Sequence, residues 1–202
     1  MDYDVKDLET KVLDWNWAES RVLPRLQNIN SADRKYFEIM PHKYFLDLVI
    51  IYYINFNNNI NVKITYNLID IWNIDEETLH KTAISNLDPI FHKMNDLLSG
   101  LIPFDYVEAD VPMMVITSPE QTYGAATILS PDIYNFFTEN QILFPSSVHE
   151  WIAVPCKTLG TDVEYMNHMV MEINATELQP QDILSDHIYW LNVSSQKIQP
   201  IY

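Results

Sequence analysis

The polar run Pro145-Ser146-Ser147-Val148-His149-Glu150 contains the three residue types from which an acyl-transfer site is built. In such a site an imidazole draws the proton from a serine hydroxyl, and a carboxylate orients the imidazole and stabilises its charged form. Ser146, Ser147, His149 and Glu150 are therefore candidate catalytic residues. Their spacing works against that role. Neighbouring side chains on a strand point to opposite faces, so the backbone itself would separate His149 from Glu150. The chain has no Gly-x-Ser-x-Gly turn to present a serine, and only three glycines from which to form an oxyanion loop. The zinc-protease pattern also fails, because Ala153 stands where a second histidine is needed. The alternative is a polar strand entry whose hydroxyls satisfy backbone groups.

Glu164, His168 and Glu172 recur every fourth residue and would share one face of a helix, where imidazole and carboxylate could hold a divalent metal. Val163, Met166, Val170 and Ile173 mark the opposite, buried side. That leaves the triple outside with no closing ligand, so a solvated face is expected and no metal. Ser185-Asp186-His187 is a third polar cluster, with Asp186 read as a turn residue ahead of the last strand. Tyr123-Gly124-Ala125-Ala126 has small residues where backbone could approach closely, either for a tight hairpin or for a ligand. A single cysteine, Cys156, excludes both an internal disulfide and a cysteine-based zinc cluster. No cofactor is expected.

These residues must be positioned by regular elements, which the hydropathy pattern supplies. Val5, Leu8, Val12, Trp15 and Val22 recur at helical spacing, and Pro24 should end that helix. Phe45 to Phe56 is a dense apolar run that reads as a strand covered on both faces. Asn57-Asn58-Asn59 is a turn signal, and the alternation from Ile60 to Tyr66 completes a β-hairpin. Asp75 should cap a helix whose apolar face is Leu79, Ala83 and Leu87, and a further helix is expected from Ile90 to Leu98. Strands are expected at 113–117, 125–129, 151–154 and 187–193, with helices from Pro131 to Phe137 and from Asp162 to Ile173. Short connections favour a mixed or antiparallel sheet with helices on one face, hence an α+β fold. Residues 101–111 read as a loop or a boundary that divides an N-terminal helical and β-hairpin subdomain over 1–100 from an acidic α+β subdomain over 101–202, the alternative being a single compact domain.

Charge is unevenly spread along the 202 residues, whose formal net charge is −16. Residues 1–93 hold 14 acidic and 10 basic side chains, whereas residues 94–202 hold 14 acidic and only two basic ones, Lys157 and Lys197. The second half is anionic through loss of cations, not through added acids. Such a surface repels nucleic acid and anionic membranes and attracts a basic protein. Asp105, Glu108, Asp110 and Glu120 are candidate partner-binding residues. The N-terminus lacks the basic and apolar profile of a signal peptide, so a cytoplasmic setting is expected.

Three stretches, PHKYFLDLVIIYYI (41–54), ITYNLIDIWNIDEETLHKTAISN (64–86) and ILFPSSVHEWIAVP (142–155), together with the tail EINATELQPQDILSDHIYWLN (172–192), carry a further signal. With them the chain resembles a family of bacterial proteins catalogued only as a domain of unknown function. The resemblance implies a shared fold and no activity. The combined expectation is a non-enzymatic interaction protein whose acidic half binds a basic partner. One version is an anti-defence inhibitor, from a phage or mobile element, of an enzyme that handles nucleic acid. The alternative is a hydrolase using the cluster at 146–150.

Overall fold

The computed structural model describes residues 5–30, 37–56, 60–98, 112–159 and 162–202. The chain is α+β, with helices and two antiparallel sheets. It opens with α1 (Val5–Leu13) and α2 (Trp15–Ala18), divided at Asp14, whose side chain accepts the Asn16 N–H and caps α2. A short 3-10 turn leads into β1 (Val22–Asn28). The single helix expected up to Pro24 is therefore corrected, since Pro24 lies inside a strand. Proline is tolerated there because β1 is an edge strand, pairing with β3 alone.

β2 (His42–Phe45) and β3 (Leu48–Asn55) form a hairpin across Leu46-Asp47, with Leu46 in the left-handed region at φ 58°. β3 pairs with β1 along one edge, and with β2 and then β4 (Asn61–Lys63) along the other. Every residue of β3 except Asn55 is buried. Leu48, Ile50, Tyr52 and Ile54 enter the main core, while Val49 and Ile51 join Met40 in a second cluster. The run read as one doubly covered strand is thus such a strand over 48–55. The Asn57–Asn59 turn lies outside the described residues.

The alternation beyond Ile60 ends earlier than expected. Thr65 accepts the Leu68 N–H and starts α3 (Tyr66–Trp72), which Asn73 closes at φ 54°. Asp75 caps α4 (Glu76–Ser85) by accepting the Thr78 N–H at 2.7 Å, and Leu79 and Ala83 are buried as the periodicity indicated. The helix expected from Ile90 is corrected to β5 (Ile90–Lys93) followed by α5 (Met94–Leu98).

Next come β6 (Met114–Thr117), a 3-10 helix (Gly124–Leu129), α6 (Asp132–Phe136), β7 (Gln141–Ser147), β8 (Glu150–Pro155), α7 (Val163–Glu177), β9 (Tyr189–Asn192) and β10 (Lys197–Pro200). The second sheet runs β10-β9-β7-β8-β6-β5, with every pair antiparallel. It therefore begins at Ile90. The strand expected at 125–129 is corrected to the 3-10 helix, locked by Thr127 Oγ1 donating to the Gly124 carbonyl and by Trp151 Nε1 donating to the Ala125 carbonyl. The last expected strand starts at Tyr189, not His187, and β10 folds back on it.

The main core lies between the sheets. Ile50 and Tyr52 from the first share one buried cluster with Leu143, Trp151, Ala153 and Tyr189 from the second. Burying a large side chain of this kind contributes roughly 1.5–3 kcal/mol. The other face of the second sheet receives α7 through Met166 and Val170, packed with Ile142, Phe144 and Ile188. Ile173, expected on that buried side, is 46% exposed, and Asn174 takes the inward position in its place. No described helix is long and apolar enough to cross a membrane.

Candidate functional site

The Ser146–Glu150 run forms the tip of the β7–β8 hairpin: the serines end β7, Val148 and His149 make the turn, and Glu150 starts β8. Ser146 Oγ donates to Glu150 Oε1 at 3.1 Å. Ser147 Oγ accepts the His149 backbone N–H at 3.1 Å, the role expected of a hydroxyl at a strand end. Neither serine hydroxyl is among the described hydrogen-bond partners of the His149 ring. Instead Nδ1 accepts the Tyr123 N–H at 3.0 Å, which leaves the proton of a neutral ring on Nε2, 3.7 Å from Asp182 Oδ1. The hairpin brings Ser146 to Glu150 and sends His149 to Tyr123 and Asp182.

Tyr123 is held in an unusual conformation by these contacts. Its φ is 54°, and Gln121 in the same loop stands at 53°. A left-handed non-glycine residue persists where its surroundings over-determine it. Here Gly124 supplies the close approach: a Cβ at that position would lie 2.3 Å from Thr117 Oγ1, 2.4 Å from the Ser118 nitrogen and 2.5 Å from the His149 carbonyl oxygen. Thr117 Oγ1 also donates to that carbonyl at 2.9 Å. The close backbone approach read into Tyr123-Gly124-Ala125-Ala126 is therefore realised, at the entry to a 3-10 helix and not in a tight hairpin. The Tyr123 ring stacks on His149 with centroids 5.6 Å apart and planes at 16°. Arg25, from β1, places its Cζ 3.9 Å over the same ring, and Tyr53 meets it edge-on at 5.6 Å. Arg25 and Tyr53 reach this point because they are diagonal neighbours across the β1–β3 ladder.

The second polar centre joins the sheets. His187 Nε2 lies 3.2 Å from Asp47 Oδ2, and the Tyr189 hydroxyl donates to both Asp47 oxygens at 2.8 and 3.0 Å. Tyr189 is fully buried, and burial raises its pKa above the ordinary value, with the charge of Asp47 acting in the same direction. Ser185 Oγ is 3.4 Å from His187 Nδ1, but Ser185 is 1% exposed, so no substrate reaches this hydroxyl. Asp186, adjacent to His187 in sequence, is exposed and accepts from Asn174 Nδ2 instead. The Ser185-Asp186-His187 cluster is thus a joint whose carboxylate comes from the β2–β3 turn.

Glu164, His168 and Glu172 all lie on the exposed face of α7. Among the described residues no group of three or more His, Cys, Asp or Glu is placed to hold a metal ion. Glu120 is exposed in the loop before Tyr123, whereas Asp105, Glu108 and Asp110 lie outside the described residues. The composition of α7 is the more informative surface. It carries Glu164, Glu172 and Glu177 after the capping Asp162, has no Lys or Arg in fifteen residues, and leaves Tyr165 66% and Met171 48% exposed. Of the two cations beyond residue 112, Lys157 is paired with Glu139 at 2.9 Å.

Arg25, Asp47 and Asp182 were not singled out by the sequence, and Tyr123 was marked only for the small residues that follow it. Asp47 had the one local signal, a charge set within an apolar run.

No curated protein and no solved structure matches the chain. A family model does match, over residues 3–192, a span that takes in both polar centres and α7. The chain belongs to that family, DUF5688, a family of unknown function.

Proposed function

We propose that this protein is a non-enzymatic, cytoplasmic interaction protein that binds a basic protein surface through its C-terminal half. The observation carrying the reading is the outward face of α7, where acids flank an exposed Tyr165 and Met171 with no intervening cation. The two features have separate roles. Uncompensated carboxylates steer a basic partner and select it over acidic ones. A tyrosine and a methionine supply the contact area that charge alone does not, tyrosine being among the residues enriched at binding hot spots. A basic, aromatic-accepting groove of the kind that holds nucleic acid fits both, which favours an inhibitor of a nucleic-acid-handling enzyme as the concrete version.

The test is affinity capture from the native host with the wild-type chain, with Tyr165→Ala and with the double variant Glu164→Lys, Glu172→Lys. A basic protein should be retained by the wild type at low salt, released as salt rises, and lost from both variants. Retention that ignores salt, or that survives both variants, would end the reading.

The alternative, a hydrolase built on Ser146, Ser147, His149 and Glu150, has in its favour the Ser146–Glu150 hydrogen bond, which could raise the nucleophilicity of that hydroxyl. A serine-reactive fluorophosphonate probe decides it: an adduct on Ser146 or Ser147 supports the hydrolase, and an unlabelled chain removes it.

A further inference from the structure

Two of the chain's three arginines lie near its N-terminal helices and are used in opposite ways. Arg21 stacks on Trp17 at 4.3 Å and also donates to the Trp17 carbonyl and the Ser20 hydroxyl. Arg25 stacks on Tyr123 at 3.9 Å and makes no hydrogen bond or contact ion pair among the described residues. Its Nε is sealed from solvent without a partner, while the two outer nitrogens are not sealed. A guanidinium presents five N–H donors in a fixed fork, and leaving a half-buried one empty is costly.

The surroundings point the same way. The loop that holds the Tyr123 ring under Arg25 contains two left-handed non-glycine residues and is clamped by Gly124 and His149, so the platform is kept at a cost in backbone strain. The Tyr53 and Tyr123 hydroxyls also lack hydrogen-bond partners among the described residues. Burial holds the Tyr53 hydroxyl in its protonated, donating form by raising its pKa. The groups that act on Arg25 electrostatically are Tyr123, Asp182 and Tyr53, while Glu120 acts on Tyr53.

We propose that Arg25, held on the Tyr123 ring beside Tyr53, is the receptor for a carboxylate of a small ligand. The planar fork matches a carboxylate in bidentate geometry. Phosphate offers similar oxygens, but Arg25 is a single cation with Asp182 and Glu120 acting nearby, so the second charge of a dianion finds no further cation to match it, which favours the monoanionic carboxylate. This site is separate from the α7 face, and its failure leaves the partner-binding proposal intact.

The experiment follows the Arg25 side-chain Nε–H and the Tyr123 amide by NMR in the full chain, at constant ionic strength. Benzoate, acetate, inorganic phosphate and chloride are titrated separately. Saturable shifts with acetate and benzoate, stronger than with phosphate and missing with chloride, are expected. Arg25→Lys should weaken carboxylate binding about tenfold, because an ammonium cannot form the fork. Asp182→Asn should strengthen it about threefold by removing a competing charge, a gain that misfolding cannot imitate. No saturable shift, an equal response to chloride, tighter binding of phosphate, or unchanged affinity in either variant would overturn the assignment.

Discussion

Two histidines of this protein follow a serine by two residues and face a carboxylate, yet the two arrangements differ in what holds them. His187 and Asp47 stand 3.2 Å apart with side chains 16% and 27% exposed, and the fully buried Tyr189 hydroxyl closes the group. His149 and Asp182 stand 3.7 Å apart with side chains 36% and 32% exposed, and the firm contact of the ring is to a backbone N–H. The first carboxylate is therefore a structural acceptor whose loss strands buried donors. The second is a neighbour that water can replace. A serine, a histidine and an acid close together in sequence do not amount to one site: Asp186 turns away from His187, and Glu150 takes Ser146 and not His149.

The contrast can be broken most severely from the backbone side. Gly124→Ala sets a methyl against the Ser118 nitrogen and the His149 carbonyl, groups that cannot swing aside, so the Tyr123–His149 stack must shift. A loss of about 3 kcal/mol or more is expected in chemical denaturation. A loss below about 1 kcal/mol would mean that the loop is less constrained than its contacts imply.

Asp47→Ala comes next. It leaves the Tyr189 hydroxyl and His187 without their acceptor between the sheets, at an expected cost of about 2–3 kcal/mol. Asp182→Ala should cost less than about 1 kcal/mol, because water reaches both side chains and can take the place of the carboxylate. Denaturant midpoints of the two variants, measured side by side, test the comparison directly. Equal losses would show that distance and exposure do not separate the two pairs.

The smallest effect sets the scale for a pair whose carboxylate is more exposed than either Asp47 or Asp182. Lys43 donates to Glu77 at 2.6 Å, and that bond holds the Glu77 carboxyl below its ordinary value of 4.5. A depressed carboxylate stabilises the fold above its unfolded value and stops doing so as pH falls through the folded one. The difference in stability between wild type and Glu77→Gln should thus be constant above about pH 5 and shrink below pH 4.5, and it should shrink also with added salt. A difference that grows on acidification would reverse the sign of the argument.

Much of the fold was legible where the information is local. Asp75 announces its helix because an N-cap needs only its own carboxylate and the amide of Thr78 three residues on. The apolar run ending near Phe56 marks β3 because a strand buried on both faces has no polar alternation to show. The misreadings share one cause. Val22 and Pro24 looked like a helix end because β1 becomes a strand only by pairing with β3, and Ala125 to Leu129 looked like a strand until Trp151 and Thr127 held it as a 3-10 helix. Propensity is a weak prior where a partner far along the chain decides the conformation.

The candidate sites divide in the same way. The sequence alone determined the anionic character of the second half, the helical row of Glu164, His168 and Glu172, and its place on a solvated face, because composition and a 3.6-residue period need no third dimension. Only the tertiary structure decided that Asp47 serves His187 across 140 residues, that His149 stacks on Tyr123, and that Arg25 and Tyr53 converge there from neighbouring strands. Such pairs are set by sheet register and by the packing of one sheet on the other, and no spacing along the chain records either.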